Sequence, residues 1–335
     1  MPCYHVARLS DAGPSQNPCV SPITGARRPI RIDFCDYAPG YPKTNNFFYN
    51  LLKTRFNLEV TDQPEFLIYA SPGGHLHRVH NCVRIYFGIE HFAPDWSECD
   101  YAMTCHYLDD PRHLRLPYYA LYGLPKVLDK QQDDLESILK AKTRFCGFVV
   151  SNAGKRKTQK RVDFFRRLSR YKQVDSAGRA FNNIGGPLPA GPQAKLDFLR
   201  TCKFNIAFEN TSVPGYTTEK LFEAMWARTV PIYWGSPRVH EEFDPASFLN
   251  YFDFPSEEAL IERIIELDKD DAKYLEVMRR PYCHNNQPNE FFNTDRVLDF
   301  FERIFTTPIR PVAQRRRLLS FGRWTLVKRN KPHGP

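Results

Sequence analysis

The sequence lacks the patterns that mark secretion, membrane insertion and disulfide cross-linking. No run reaches the roughly 18 apolar residues that a membrane span requires. The opening MPCYHVARLSDAGPSQNP has no apolar core of a signal peptide. Cys occurs nine times, an odd number, and no C-x-x-C pair is present. This argues against a disulfide framework or a zinc ribbon and favours reduced thiols. We therefore expect a cytoplasmic protein.

Several motifs for nucleotide and nucleic-acid binding are also missing. The chain contains neither G-x-G-x-x-G nor G-x-x-x-x-G-K-[ST], so a dinucleotide fingerprint and a P-loop are absent. No helix-turn-helix, zinc-finger or RNP-like pattern occurs, which argues against nucleic acid as a partner. The formal net charge of +9 remains compatible with an acidic ligand or an anionic membrane surface.

What is present is the composition of a globular protein, with 42% hydrophobic, 25% charged and 14% aromatic residues in 335. Apolar runs alternate with helical patterns and predict α/β architecture with mainly parallel sheets. In the first half, we predict a helix at 47–56 and strands at 29–38, 65–70, 81–88 and 100–105. In the second half, we predict helices at 195–202 and 217–228, a basic loop that becomes a helix within 155–171, and one or two surface helices at 257–280. We predict strands at 144–152, 204–208 and 229–235, and a strand and turn at 172–178.

These elements suggest a division of the chain into two domains between two flanking segments. A charged helical region at 125–143 contains the predicted boundary. The resulting segments are a polar, flexible N-terminus at 1–28, α/β domains at 29–135 and 136–310, and a basic amphipathic tail at 311–335. Ligands of such sheets bind outside the carboxyl ends of the strands, so we expect the site residues in the loops that follow strands.

One such loop lies within FNIAFENTSVPGYTTEKLFEAMWARTVPIYWGS, residues 204–236. Thr217 is a reasonable N-cap for the helix that follows, and Glu219 falls in its first turn, where a carboxylate favours the helix dipole. Capping alone would explain these two residues. Lys220 is different, because a cation in the first turn opposes the dipole unless an anion is bound there. The spacing therefore indicates a phosphate ligand, and Tyr216 could stack on its sugar or base.

The segment FENTSVPGYTTEKLFEAMWARTVPIYWGSP resembles the signature of the α1,3/4-fucosyltransferase family, glycosyltransferase family 10. Two further segments agree: FVVSN at 148–152, followed by R-x-x-FF and VDSAGRAFNNIGG, and YFGIEHFAPDWSECDYAM at 86–103. The resemblance covers roughly residues 30–310. One departure is Ile89-Glu90-His91, which stands where the family usually has Gly-Glu-Asn, with Gly88 one place earlier.

The resemblance implies an α/β fold of the GT-B type, with two Rossmann-like domains facing across a cleft. The N-terminal domain would hold a glycan acceptor and the C-terminal domain GDP-fucose. The reaction would invert β-linked GDP-L-fucose to an α-fucoside on an (N-acetyl)glucosamine or glucose unit. An α1,3 and an α1,4 linkage are both compatible, as are lactose, N-acetyllactosamine and a lipopolysaccharide O-chain as acceptors. A bacterial-type member without a membrane anchor, making Lewis-type products, is the expectation.

Inversion in a single displacement requires a base for the acceptor hydroxyl and positive charge for the leaving diphosphate. The resemblance implies that Glu90 is the base. A strand-end carboxylate is suited to this role, although it could instead be a loop carboxylate paired with Arg84. Lys220 and Arg161 match the cations that contact the donor phosphates in the family. The alternative for Arg161 is a place on a solvated basic face.

The remaining candidate residues are assigned to the donor sugar and nucleotide. Glu219 would bind fucose hydroxyls and stabilise positive charge that develops on the ring. The other implied donor contacts are Asn210, Tyr216, Ser151 and Asn152.

We expect no cofactor and no metal, because no Asp-x-Asp follows a predicted strand. The dense acidic spots are Asp109-Asp110 and the stretch 268–271, and neither has that context. Lys and Arg would replace the divalent ion. His75, His77 and His80 could suggest a metal cluster, but a polar loop or a wall of the acceptor site is the favoured interpretation.

The tail contains RRRLLSFGRWTLVKRNKP at 315–332, in which basic residues are interleaved with Leu, Phe and Trp. This composition is typical of an interfacial membrane segment, and a disordered basic tail is the alternative. We expect peripheral association with the inner face of the cytoplasmic membrane. For the whole chain, the competing hypotheses are a transferase for another nucleotide-sugar and a non-catalytic nucleotide- or glycan-binding module.

Overall fold

The computed structural model describes residues 28–71, 74–123, 128–130, 133–151, 158–308 and 311. Asn152, the polar N-terminus and the basic tail from 315 onward lie outside the described residues. In the described part of the chain, no helix combines the length and apolar character needed to cross a membrane.

Two compact units make up the chain. We call the described residues within 28–104, 108–116 and 294–311 the N-terminal unit. Those within 105–107 and 117–293 form the C-terminal unit.

The N-terminal unit is built on a parallel sheet of six strands in the order β2-β1-β3-β4-β5-β6. The strands are β1 (Ile30–Cys35), β2 (Leu58–Val60), β3 (Phe66–Ser71), β4 (Val83–Gly88), β5 (Tyr101–Thr104) and β6 (His113–Arg115). All four predicted strands of this half are confirmed. Every residue of β4 is buried, as expected for an interior strand of a parallel sheet. The short edge strands β2 and β6 escaped prediction because they offer too few residues for an apolar pattern.

The C-terminal unit contains a parallel sheet of five strands in the order β11-β10-β9-β7-β8. Its strands are β7 (Arg144–Phe148), β8 (Val174–Ser176), β9 (Cys202–Phe208), β10 (Val230–Trp234) and β11 (Leu249–Asn250). The four predicted strands are confirmed, with β7 ending before the predicted limit of 152. The two-residue strand β11 was not predicted.

The described helices are α1 (Phe47–Leu52), α2 (Leu135–Lys140), α3 (Gln159–Leu168), α4 (Pro192–Arg200), α5 (Glu219–Trp226), α6 (Glu257–Lys269), α7 (Asp271–Arg279) and α8 (Asp295–Thr306). The helix predicted at 195–202 begins three residues earlier, at Pro192, because proline is tolerated in the first turn of a helix. Its predicted end is wrong, since Cys202 begins β9. Of the one or two helices predicted at 257–280, the structure has two, which meet at Asp270.

Helix α8 joins the N-terminal unit, although the predicted boundaries place 294–308 in the C-terminal domain. Its apolar face presents Phe301 and Phe305 to the N-terminal unit. The ring of Phe301 lies 6.1 Å from that of Phe48, and the ring of Phe305 lies 4.7 Å from that of Phe66. The chain therefore returns to its first sheet near its end, because this aromatic face needs a partner there to leave water.

Candidate active site

The loop between β9 and α5 starts at the carboxyl edge of the C-terminal sheet. β9 and β10 run parallel with Phe208 opposite Trp234, so both strands end at this edge. Gly215 in the middle of the loop has a φ of +83°, a left-handed conformation that glycine adopts without strain. Its N–H donates to the hydroxyl of Ser236, 2.9 Å away, and this bond ties the loop to the segment that follows β10.

Helix α5 is attached to the end of β9 through a side chain. The N-cap is Thr218, one residue later than the predicted Thr217. The Thr218 hydroxyl makes no capping bond to the helix. Instead, the N–H and the hydroxyl of Thr218 donate to the carboxylate of Glu209 over 2.7 and 2.8 Å. The carboxylate therefore holds the first turn of α5 against the end of the strand.

Glu209 is a site residue that the sequence reasoning missed. Its side chain is fully buried directly after β9, among hydrogen-bond donors. A signal was available, because Glu209 is the middle residue of the quoted FEN triplet, from which only Asn210 was selected. Glu90 was selected because it is a carboxylate that follows an apolar strand, and Glu209 meets the same criterion.

Lys220 is surrounded by oxygen atoms of the protein. Its ammonium lies 2.9 Å from Glu209 Oε2, 2.9 Å from Thr218 Oγ1 and 3.4 Å from Glu219 Oε1. The carboxylates of Glu209 and Glu219 supply the negative charge that the dipole argument required near this lysine. They compensate a cation at a helix N-terminus even before a ligand binds.

The charges in this cluster shift one another's protonation equilibria. Burial raises the pKa of Glu209, Lys220 lowers it and Glu219 raises it, and the outcome is a pKa above the usual value. Burial would also raise the pKa of Glu219, but Lys220 and then Lys195 reverse this and lower it to about 2. Burial would lower the pKa of Lys220, yet the carboxylates of Glu209 and Glu219 raise it above its ordinary value. Lys220 and Glu219 are therefore both charged at neutral pH.

A second ion pair extends the cluster along α5. Glu223 follows Glu219 by one helical turn, and its buried carboxylate contacts the ammonium of Lys195 on α4. Burial raises the pKa of Glu223 against the opposing effect of Lys195. Carboxylates and ammonium groups thus alternate from Glu209 to Glu223, and the three acids outnumber the two lysines.

Arg161 and Asn210 meet on the same side of the cluster. The side chain of Arg161, on α3, is buried, and its guanidinium donates to Asn210 Oδ1 over 2.8 Å. Arg161 is also near enough to Lys220 for its charge to act on the lysine. The alternative of a solvated basic face is therefore wrong for Arg161, although it describes the half-exposed Arg167, which pairs with Glu258 on the surface.

The other predicted donor contacts are placed differently. Tyr216 lies in the loop next to Gly215, but only 2% of its surface is exposed, and its carbonyl accepts a bond from the Tyr233 hydroxyl over 3.4 Å. Its ring is part of the interior in this structure and is not presented for stacking. Ser151 is exposed beyond the end of β7, and Asn152 lies outside the described residues.

Glu90 follows the end of β4 in the N-terminal unit. Its carboxylate is one-fifth exposed and lies 4.0 Å from Nδ1 of His91, whose ring stacks on Phe92. Gly88 stands at the end of β4 because a Cβ there would come within 3.0 Å of the Thr104 side chain. Close packing against β5 thus accounts for the displaced glycine. Arg84 directs its guanidinium to the carbonyls of His80 and Glu98.

The three predicted histidines do not form a metal site in the described structure. His77 is buried, with Nδ1 2.5 Å from Asp36 and Nε2 2.6 Å from Glu98. Its ring stacks on Tyr69 at 4.1 Å between centroids. Throughout the ranges that the structure describes, no group of three or more His, Cys, Asp or Glu side chains is arranged to hold a metal ion. His77 instead connects Asp36 and Glu98 through hydrogen bonds within the N-terminal unit.

The acidic spots considered for a metal are engaged with basic side chains. Asp110 forms an ion pair with Arg112 over 2.7 Å. Asp268, whose side chain is largely buried, forms ion pairs with Lys172 and Lys203 in the C-terminal unit.

Two family models match this chain. Residues 32–122 match the alpha-(1,3)-fucosyltransferase FucT N-terminal domain, and residues 139–288 match the glycosyltransferase family 10 (fucosyltransferase) C-terminal domain. A solved alpha1,3-fucosyltransferase structure aligns with a TM-score of 0.69 and 24% identity, covering 88% of this chain and 95% of that one. The molecule therefore has the α/β fold of the GT-B glycosyltransferases. The chain belongs to glycosyltransferase family 10, as the resemblance predicted.

The curated relatives differ in how much of this chain they match. The alpha-(1,3)-fucosyltransferase FucT of Helicobacter pylori is 28% identical over 308 residues, which is 78% of this chain and 62% of the relative. The 4-galactosyl-N-acetylglucosaminide 3-alpha-L-fucosyltransferase FUT6 of Homo sapiens is 38% identical over 144 residues, 42% of this chain and 38% of the relative. This chain thus spans less than two thirds of the length of either relative.

Proposed function

We propose that this protein is an inverting α1,3-fucosyltransferase. It would transfer L-fucose from GDP-β-L-fucose to a hydroxyl of an (N-acetyl)glucosamine or glucose unit in a glycan. The observation that carries the proposal is the buried charge cluster at the N-terminus of α5, in which Lys220 and Glu219 lie beside Arg161 and Asn210. A solved family structure contains GDP-fucose and aligns with a TM-score of 0.68, which supports this donor.

The diphosphate of the donor would bind at the N-terminus of α5. Lys220 supplies an ammonium there, and the helix dipole adds partial positive charge at the first turn. Arg161 supplies a planar guanidinium, already oriented by Asn210, that matches phosphate oxygens in pairs. As the bond from fucose to phosphate breaks, negative charge develops on the diphosphate, and these fixed cations stabilise it.

Glu219 would act on the sugar. Its pKa of about 2 keeps the carboxylate ionised at neutral pH, and one-fifth of its side chain is exposed. An ionised carboxylate accepts bonds from fucose hydroxyls and stabilises positive charge on an oxocarbenium-like ring. A protonated acid could accept the hydrogen bonds but could not stabilise the positive charge. Lys220 and Lys195 lower the pKa of Glu219 and therefore support the assignment.

Glu90 would take the proton from the acceptor hydroxyl. It stands beyond the carboxyl end of β4, where parallel sheets present reactive groups. His91, where the family pattern has Asn, lies beside this carboxylate and distinguishes this chain's loop from the pattern. The base role rests on the motif position and on this placement in the N-terminal unit.

The acceptor and the linkage are part of the same proposal. The FUT6 relative is named a 3-alpha-L-fucosyltransferase, and the FUT3 relative of Bos taurus, 39% identical over 144 residues, is named a 4-alpha-L-fucosyltransferase. We propose the α1,3 linkage and a Lewis-type product, with lactose, N-acetyllactosamine or a lipopolysaccharide O-chain as acceptor. The FucT relative, which matches both halves of this chain, is named an alpha-(1,3) enzyme, and this favours the first linkage.

The test is incubation of purified protein with GDP-fucose and these acceptors, followed by NMR assignment of the product linkage. An α1,3-fucoside is the expected product. Binding of GDP-fucose without transfer to any acceptor would favour the non-catalytic module instead. Turnover of another nucleotide-sugar in its place would reassign the donor.

We further propose that the protein works at the inner face of the cytoplasmic membrane. The basic tail from 315, with its Leu, Phe and Trp residues, supports this location through its composition. Sedimentation with anionic vesicles should show salt-sensitive binding of the full chain and none of a variant ending at Pro311. Equal binding of both proteins would remove the tail from this role.

A further inference from the structure

Glu209 presents an arrangement that the proposed chemistry does not use. Its carboxylate has no exposed surface, and it receives bonds from the Thr218 N–H, the Thr218 hydroxyl and the Lys220 ammonium. An ammonium has three N–H donors. Those of Lys220 face Glu209, Thr218 and Glu219, so each donor already has a protein oxygen within 3.4 Å.

A diphosphate that binds Lys220 would therefore bring its negative charge close to two carboxylates. Glu219 can lose a contact at 3.4 Å and remain partly solvated, because one-fifth of its side chain is exposed. Glu209 has no exposed surface and therefore cannot be solvated in this way. A fully buried carboxylate beside a newly arrived anion is destabilised by burial and by like charge together.

Three other elements present polar groups toward this neighbourhood. Glu219 and Lys220 lie on α5, Arg161 lies on α3, and Tyr233 lies on β10. Burial raises the pKa of Tyr233 well above its usual value, so its hydroxyl stays protonated. Arg161 keeps its charge in the accessible pH range. Of the two carboxylates, Glu209 has the pKa that is raised, whereas that of Glu219 is lowered to about 2, so Glu209 is the one placed to take up a proton.

The hydrogen bonds around Glu209 can accommodate a proton without rearrangement. Thr218 Oγ1 lies 2.8 Å from each carboxylate oxygen, and a hydroxyl is both a donor and an acceptor. A protonated Glu209 could donate through Oε2 to Thr218 Oγ1, while Oε1 continues to accept from the Thr218 N–H over 2.7 Å. The first turn of α5 would thus remain attached to β9 in both protonation states.

We propose that Glu209 is a positioning residue, which holds Lys220 at the donor diphosphate and takes up one proton from solvent when that diphosphate binds. The inference rests on the proposed donor site. Uptake converts Glu209 from a carboxylate to a carboxylic acid and consumes only a solvent proton. It lets Lys220 direct its full charge to the phosphate, and it makes donor binding weaken as pH rises.

The experiment is isothermal titration of the full-length protein with GDP-fucose, without acceptor, in buffers of different ionisation enthalpy. GDP-fucose is the probe because both of its phosphates are esterified and neither titrates near neutral pH, unlike the terminal phosphate of GDP. The slope of the apparent enthalpy against buffer ionisation enthalpy counts the protons taken up. Up to one proton per donor bound is expected, with affinity falling by up to about tenfold per pH unit.

Glu209→Gln is the diagnostic variant, because the amide keeps the shape and can donate to Thr218 Oγ1 but carries no titratable proton. It should bind GDP-fucose with no buffer-dependent enthalpy and with pH-independent affinity. Glu223→Gln is the matched control, since it removes a buried acid one turn away from Glu219 whose carboxylate contacts the ammonium of Lys195. The control should retain proton uptake.

Each outcome separates the inference from the proposed function. Binding of GDP-fucose by the native protein without proton uptake would overturn the inference and leave the donor site standing. If Glu223→Gln lost proton uptake while Glu209→Gln kept it, the proton would be assigned to Glu223, and the inference would be overturned as well. No binding of GDP-fucose by the native protein would refute the donor site itself. The native measurement decides even if a variant fails to fold.

Discussion

At the scale of single residues, Lys220 and Glu219 form the centre of the candidate site. Both are charged at neutral pH, and each depends on the other for this state because burial acts against both charges. The Lys220 ammonium has oxygen atoms of Glu209, Thr218 and Glu219 within 3.4 Å, so its charge is placed before the donor arrives. Such preorganised charge is the largest contribution that a site of this kind makes to a transition state.

Glu219→Ala and Lys220→Ala should each abolish fucosyl transfer. The first removes the ionised carboxylate proposed to act on the sugar, and the second removes the phosphate cation. Initial rates with GDP-fucose and lactose, with circular dichroism as a check on folding, measure the effect. Lys269→Ala, an exposed lysine in the last turn of α6, is the control and should keep native turnover. Near-native turnover and donor affinity in either site variant would refute the donor-site assignment.

Glu90→Gln should lose turnover far more than donor affinity. The amide has nearly the same shape but cannot accept a proton, and loss of a general base lowers rates by about 10²–10⁴-fold. The measurement is kcat for transfer, together with the Kd for GDP-fucose.

Asp95→Asn is the comparison for this base assignment. Asp95 belongs to a turn in which its carboxylate accepts a bond from the N–H of Ser97 over 2.9 Å. It should retain most turnover. Full activity of Glu90→Gln together with an inactive Asp95→Asn would transfer the base role to Asp95.

His77 is a residue whose importance lies in the fold of the N-terminal unit. Burial would raise the pKa of Asp36, but the bonds from the ring and backbone of His77 lower it below its usual value. The folded state thus favours ionised Asp36. The resulting stabilisation is present above the usual pKa and is lost as pH falls below it.

His77→Gln should destabilise the N-terminal unit by roughly 1–3 kcal/mol, because Asp36 and Glu98 would lose the hydrogen bonds that the buried ring makes to them. Urea unfolding at pH 7 measures the loss. His75→Gln is the control, since His75 is exposed and lies two residues before His77 in the same segment. An equal and small effect of both substitutions would show that the Asp36 and Glu98 contacts contribute little.

At the scale of elements, the connection from β9 through α5 to β10 carries the site. Glu209 follows the strand directly, the turn at Gly215 directs the loop, and the first turn of the helix contains Lys220. Side chains that belong to different elements are thereby brought within hydrogen-bond distance. Helix α8 is a second example, because it packs on the N-terminal unit although it lies near the end of the described chain.

Phe301→Ala should lower the free energy of unfolding by about 3–5 kcal/mol, because Phe301 is fully buried against Phe48 and leaves a cavity when truncated. Urea denaturation is the measurement. Asp299→Ala, on the exposed side of α8, removes a surface ion pair with Arg55 and should cost less than about 1 kcal/mol. Similar small losses for both variants would place α8 outside the core of the N-terminal unit.

At the scale of the whole molecule, charge is the property that bears on function. The chain carries a formal net charge of +9, and its proposed donor is a diphosphate. An excess of positive charge favours the encounter with such a ligand over long distances. The same property would attract the chain to an anionic membrane.

Transfer should persist in EDTA. We propose Lys220 and Arg161 as the countercharge of the diphosphate, and these cations need no exchangeable ion. Initial rates before and after dialysis against the chelator provide the measurement, with rates after added Mn²⁺ as the reference. Complete loss on chelation, reversed by Mn²⁺, would contradict the prediction and direct attention to Asp109 and Asp110.

Local patterns in the sequence are sufficient to predict the elements that carry the site. Periodic apolar runs predicted the strands at 204–208 and 229–235 and the helix between them, because neighbours in sequence decide local backbone structure. Lys220 stood out for the same reason, since a helix dipole acts on its own first turn. The family motifs are likewise continuous segments of sequence and could be recognised without a structure.

Which side chains meet depends on the packing of whole elements and becomes visible in the structure. Asp36 and Glu98 face His77 from 41 and 21 residues away, and Arg161 reaches Asn210 across 49 residues. The unit to which α8 belongs was also settled by aromatic contacts with Phe48 and Phe66. Such pairings depend on how whole elements pack to remove apolar surface from water, and they leave no periodic trace in the sequence. Glu209 shows the difference: its letter was visible, but its burial among Thr218 and Lys220 was not.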